Sequence, residues 1–161
     1  MTQDQIEYLV YLGIGSNIDP EEYLPRAIDC IRENLQVVSI STIWQSPAVG
    51  SSGPDYLNAV IAVKTEYQPP NLKDKIISYI EDQLGRVRTD NKYADRTIDI
   101  DILVVDDEVL DNQIWQYAHI AVPLSELNPS LKNKETGETI ISVAVRLLNQ
   151  TDLRSRLDIS Y

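Results

Sequence analysis

Phenylalanine is absent from this 161-residue chain, and cysteine and histidine occur once each. Without phenylalanine, any flat ligand must find its stacking face on another ring. The single Cys30 excludes an internal disulfide; it falls beside the apolar stripe of an expected helix and reads as a small packing residue. Positive charge is scarce, with 14 Lys and Arg against 25 Asp and Glu and a net charge of −11. That balance disfavours a general nucleic-acid binder, which needs a basic face, and docking on anionic lipid. The opening residues, MTQDQIEYLV, hold no basic region leading into an apolar run, so they do not read as a signal peptide. No apolar run reaches membrane-spanning length, and there is no low-complexity tract or fixed-period repeat. The expectation is a cytoplasmic protein in which residues 1–161 form one domain.

What little positive charge there is clusters. Residues 85–103 read GRVRTDNKYADRTIDIDIL and place Arg86, Arg88, Lys92 and Arg96 just before Asp99 and Asp101. Side chains two apart on a strand share a face. Asp99 and Asp101 therefore point one way, while Ile98, Ile100 and Ile102 point to the core. A D-x-D pair alone is commonly a solvated strand face. Here two mutually repelling carboxylates adjoin a cationic loop in an otherwise acidic chain. A hard divalent ion such as Mg²⁺ relieves the repulsion and brings phosphates with it, and the arginines provide partners for those phosphates. The stretch reads as a metal-and-phosphate site.

Around it, residues 8–15 form a buried strand ending at Gly13, Gly15, Ser16 and Asn17, expected as a tight turn that needs backbone freedom. Asp19-Pro20-Glu21-Glu22 opens a helix with a capping carboxylate and proline at its first position; Leu24, Ala27, Ile28, Ile31 and Leu35 make its apolar face. Residues 37–45 are expected as one strand, 46–54 as a loop rich in Pro, Gly and Ser, and 56–65 as a third strand. Pro69 and Pro70 open a second helix that Gly85 ends, and residues 97–105 form the fourth strand. Residues 106–108 are expected as a polar turn, 115–122 stay open between strand and loop, and 123–127 suit a short helix. Residues 139–148 have helical spacing with a strand possible, and the tail after Gln150 reads as a surface segment. The order β-α-β-β-α-β is that of a ferredoxin-like α+β fold with an antiparallel sheet, helices packed on one face and a C-terminal appendage.

With these pieces in place the chain resembles the 6-hydroxymethyl-7,8-dihydropterin pyrophosphokinases of folate biosynthesis. The resemblance rests on YLGIGSN (11–17), QSPAVG (45–50), PDYLNAV (54–60) and GRVR…DRTIDIDIL (85–103). It implies transfer of pyrophosphate from ATP to a pterin hydroxymethyl group with two Mg²⁺ ions. By the resemblance, Asp99 and Asp101 hold the metals and Arg86 and Arg96 act on the triphosphate. Arg88, Lys92 and Ile102 are implied at ATP. Ser46, Pro47, Val49, Tyr56, Asn58, Tyr93 and His119 are implied around the pterin. The chain departs from the family before Pro123, where Tyr117 stands in place of an arginine and His119 in place of a phenylalanine. That departure leaves two further readings: a non-catalytic pterin or nucleotide binder, and a kinase of another heterocyclic alcohol.

Overall fold

The computed structural model describes residues 5–161; the part of the signal-peptide reading that concerns residues 1–4 lies outside them. Strand β1 (Tyr8–Ser16) leads into helix α1 (Pro20–Asn34), β2 (Gln36–Ile40), β3 (Trp44–Ser46) and β4 (Tyr56–Thr65). Helix α2 (Pro69–Leu72) continues through a π-helical turn (Lys73–Ile77) into α3 (Ser78–Gln83). Strand β5 (Asp99–Val105), β6 (Glu108–Val109), a 3₁₀ turn (Asn112–Trp115), α4 (Ala118–Leu127), α5 (Ile140–Leu148) and β7 (Arg154–Ser155) complete the chain. The sheet runs β6-β5-β1-β4-β3-β7, with β2 also pairing with β4, and every pairing is antiparallel. Strands β5-β1-β4-β3 keep the ferredoxin-like order.

The sheet separates two cores. On one face the stripes of α1 (Leu24, Ala27, Ile28, Ile31) and of the second helix (Leu72, Ile77, Ile80, Leu84) pack on Leu12, Ile14, Ile61, Ile98 and Ile100. On the other face Ile114, Ala118, Ala121, Leu124, Ile140 and Val143 cover Tyr11, Val60, Ala62, Leu103 and Val104. Helices α4 and α5 thus form a third layer, which covers the lower part of a face that would otherwise be free. Between Tyr11 and Leu12 the β1–β5 register slips, so Leu103 and Val104 both serve the α4–α5 side. A bulge of this kind re-aims side chains near the end of a strand.

Several elements differ from the sequence expectation. Gly13 and Gly15 do not form a turn: both lie inside β1, paired on either side. Asp19 does not cap α1 through its side chain; it adopts φ 42°, ψ 52°, and its backbone carbonyl accepts from Glu22 and Tyr23 instead. The strand expected over 37–45 breaks into β2 and β3 at Ser41, whose Oγ accepts from the Val60 N–H at 2.9 Å. Residues 115–122 belong to the end of the 3₁₀ turn and to α4, which begins at Ala118 and runs through Pro123. The tail contributes an edge strand, β7, beside β3.

The end of α3 sets up the site. Gly85 has φ +73°, its N–H donates to the Asp82 carbonyl, and the Arg86 N–H reaches back to the Glu81 carbonyl. This paired closure is the Schellman motif, and it turns Arg86 back over its own helix. Nothing lies within 4 Å of a Cβ added at Gly85, so Gly85→Ala tests the backbone alone. It should lower stability by about 1 kcal/mol, seen as a fall of about 2–4 °C in the thermal midpoint. An unchanged midpoint would contradict the left-handed geometry.

Candidate active site

The floor of the site is written in the sheet register. Gly15 pairs with Asp99 on one side and Asn58 on the other, and Gly13 pairs with Asp101 and Val60. Residues directly opposed in neighbouring strands share a face, so the two carboxylates, the two glycines and Asn58 look the same way. A Cβ at Gly13 would lie 3.1 Å from Leu103, and one at Gly15 would lie 3.1 Å from Asn58 Oδ1. A side chain at either position would crowd Leu103 or Asn58, and the absent side chains leave a trough between Asp99–Asp101 and Asn58. The trough opens into a cleft of about 480 Å³, lined also by Ser46, Pro47, Val49, Tyr56, Tyr93, Lys92, Asp111, Tyr117 and His119. That volume suits a small-molecule ligand.

Charge in the cleft is shared unequally. Asp99 accepts from Arg86 Nη1 at 2.7 Å and from Arg96 Nη1 at 2.6 Å. Arg86 also pairs with Glu81, a carboxylate that is only 2% exposed. Glu81 takes Arg88 Nη2 on its other oxygen at 3.2 Å. Asp101 has no ion pair among the described residues. Water reaches it through the cleft, yet protein encloses it on most sides. This enclosure, with Asp99 and Asp111 nearby, pushes its carboxyl up to about 6 against the opposing pull of Arg86 and Arg96. A carboxyl raised in this way gains from a cation beside it, so the donor set fits a hard metal ion. Among the described residues no three acidic, histidine or cysteine side chains are grouped to hold a metal. The protein thus offers two carboxylates and leaves further oxygen ligands to phosphate and water, as Mg²⁺ sites commonly do.

Two loops close on the cleft. Asn58 Nδ2 donates to Ser46 Oγ at 2.8 Å, which fixes the amide and leaves Oδ1 facing the trough as an acceptor. Gly50 has φ +74°, and a Cβ there would run into the Tyr93 ring. The 47–55 loop and the cationic loop therefore touch above the site. Lys92 Nζ sits 4.9 Å from the Tyr93 ring centroid. Asn17 anchors the far side: its Nδ2 donates to Asp95 Oδ1 at 2.8 Å and its Oδ1 accepts from the Arg96 N–H at 2.7 Å.

Most residues expected at the site converge on it. Arg88 is the exception among the cations, half-exposed and turned to Glu81 and Asp82. Ile102 packs against the helix-side core, on the face opposite Asp101, so the structure does not bring its side chain to the cleft. His119 and Tyr117 both line the cleft, with ring centroids 5.5 Å apart and planes at 31°. Sequence reasoning missed Glu81, Asn17 and Asp111. Glu81 could have been suspected from its place one turn before Gly85-Arg86; Asn17 stood inside a quoted motif without a role.

Fold and cleft define a ferredoxin-like α+β protein with a paired-carboxylate, arginine-lined site of ligand size. The profile of the 7,8-dihydro-6-hydroxymethylpterin-pyrophosphokinase (HPPK) family matches residues 11–129, and the chain belongs to that family. Among curated proteins it is 36% identical over 132 residues to the 2-amino-4-hydroxy-6-hydroxymethyldihydropteridine pyrophosphokinase of Aquifex aeolicus, covering 76% of this chain and 81% of that one. The protein of the same name from Methylorubrum extorquens is 36% identical over 149 residues, covering 85% and 92%. Among solved structures, wild-type Plasmodium falciparum HPPK-DHPS with pteroate superposes with a TM-score of 0.71 at 11% identity, covering 93% of this chain and 44% of that one. At that identity the likeness speaks for the fold, and this chain spans less than half of the Plasmodium chain.

Burial pushes the His119 imidazole down to about 4 from its ordinary 6.5. The unfolded chain therefore binds more protons between those values, and stability rises with pH there. The contribution is complete above pH 6.5 and is lost as pH falls through 4. His119→Phe removes it. The variant should gain on the wild type progressively from pH 7 to pH 4, by up to about 3 kcal/mol in denaturant titrations. A stability difference that is constant across that range would place His119 in a solvated setting.

Proposed function

We propose that the chain transfers the terminal diphosphate of ATP to 6-hydroxymethyl-7,8-dihydropterin, as one domain in a cytoplasmic setting, with the carboxylate–arginine cluster as its centre. Family membership supports the reaction. The observation that carries the residue roles is the double clamp of Arg86 and Arg96 on Asp99 beside an unpaired Asp101.

In this reading Asp99 and Asp101 hold Mg²⁺, two ions by the family resemblance. Held there, Mg²⁺ would supply charge neutralisation to the phosphate oxygens. Transfer of a diphosphoryl group releases AMP, so the pterin hydroxymethyl oxygen attacks the β phosphorus and the bond to the α-phosphate oxygen breaks. With a cation at Asp99, Arg86 and Arg96 would be free to leave that carboxylate for the phosphates. Lys92 adds positive charge at the ATP side of the cleft, and Arg88, implied at ATP by the resemblance, would have to turn away from Glu81 and Asp82 to join it. On the other side the pterin sits between the 47–55 loop and α4. Asn58 Oδ1 accepts from its polar edge, because Ser46 Oγ and the Trp44 carbonyl take the Asn58 amide hydrogens. Pro47, Val49, Tyr56 and Tyr93 enclose it, and His119 provides a neutral aromatic face where the family has phenylalanine. Closure of the two loops keeps water from the nucleotide.

Incubation with ATP, Mg²⁺ and 6-hydroxymethyl-7,8-dihydropterin should yield AMP and pterin diphosphate. ADP as product would overturn the reading. Asp101→Ala should retain less than about a tenth of wild-type turnover, and Arg96→Ala should lose roughly 10³-fold or more in kcat with a smaller change in KM for ATP. A change in KM alone would move Arg96 from transition-state stabilisation to ground-state binding.

A further inference from the structure

The C-terminal tail lies beyond the family match, which ends at residue 129, yet it grips the strand that delivers the substrate loop. Strand β3 is three residues long. Its outer edge is covered by β7, where Trp44 pairs with Ser155 and Gln45 with Arg154. The next residue, Arg156, donates its backbone N–H to the Ile43 carbonyl at 2.8 Å. Its guanidinium is held by Asp158 at 2.9 Å on both oxygens and by Glu21 of α1 at 3.3 Å. The same guanidinium donates to Gln45 Oε1 at 2.9 Å. With its oxygen so engaged, Gln45 donates through Nε2 to Asp55 Oδ2 at 2.9 Å. Gln45 and Asp55 stand at the two ends of the 46–54 loop, so this bond pinches the loop at its neck.

We propose that Arg156 is a positioning residue for the substrate loop, acting through Gln45 to fix its neck and hence the pterin side of the cleft. An amide side chain left to itself rotates and exchanges partners with water. Arg156, already oriented by two carboxylates, presents a fixed donor that selects one amide orientation. The tail therefore contributes to pterin binding without touching the ligand, while the ATP side, built on β5 and the cationic loop, meets the clamped loop only at Tyr93 and Asp95. The proposal rests on reading the 46–54 loop as pterin-binding, and the test separates the two.

Hydrogen exchange of the ligand-free protein reads the loop without any assumption about substrate. Arg156→Ala and Gln45→Leu should each speed exchange most across residues 46–55, less across residues 92–96 that touch that loop, and leave residues 81–88 unchanged. In steady-state assays each should raise KM for the pterin about fivefold or more while leaving KM for ATP and kcat near wild type. The double variant should match the worse single one, because both remove the same link. Additive effects, or unaltered loop exchange in variants that stay folded by thermal melting, would overturn the proposal. Faster loop exchange with no change in pterin KM would uphold the clamp on the loop and overturn the loop's assignment to the pterin, and with it the proposed role in binding.

Discussion

Asp99 accepts one guanidinium on each carboxylate oxygen, Arg86 at 2.7 Å and Arg96 at 2.6 Å. The arrangement of the cleft depends on this double pair. It draws the end of α3 and the cationic loop onto the first residue of β5, although the two arginines are ten positions apart in sequence. It also leaves Asp101, open to water along the cleft, without an ion pair among the described residues, and partial enclosure and repulsion from Asp99 push its carboxyl up to about 6. Buried ion pairs are weak evidence for stability, since desolvation offsets much of the attraction. Their value here is placement: Arg86 and Arg96 are kept inside the cleft with their charge neutralised by carboxylates, the state in which the proposed reaction would find them. Glu81 reinforces this from below, buried with two arginines on its two oxygens.

The fold makes room for the cluster. Gly13 and Gly15 remove side chains that would crowd Leu103 and Asn58 beside the two carboxylates. The register slip beyond Leu12 lets β5 serve the cleft at one end and the α4–α5 core at the other. Helix α4 then brings Tyr117 and His119 to the cleft wall at its first turn. Two short strands at the edge, β3 and β7, hold the opposite wall.

Much of this was legible in the sequence. The alternation of Asp99 and Asp101 with Ile98 and Ile100 is a period-two signal that no helix shares, and the structure sends each set to its expected face. The apolar stripes of α1 and of the second helix were equally plain from their 3.6 period. Gly13 and Gly15 were misread because a glycine needed for its missing Cβ looks the same in sequence as one needed for its backbone freedom. Residues 115–122 are apolar on nearly every side, so no period separates helix from strand; packing against α5 decides it. The tail reads as solvated charge because β7 is two residues long and gains its order from β3. Glu81 looks like an exposed acid on an amphipathic helix until the turn at Gly85 folds Arg86 back over it.

In the proposed reaction Asp99 competes with nucleotide for Arg86 and Arg96 until a metal relieves it. Calorimetric titration with α,β-methylene-ATP, in which the bond to be broken cannot react, tests this directly. Wild type should bind the analogue well with Mg²⁺ and poorly in EDTA. Asp99→Asn, which frees both arginines, should bind it more tightly than wild type in EDTA and gain little from Mg²⁺. Equal affinities of the two proteins in EDTA would contradict the account.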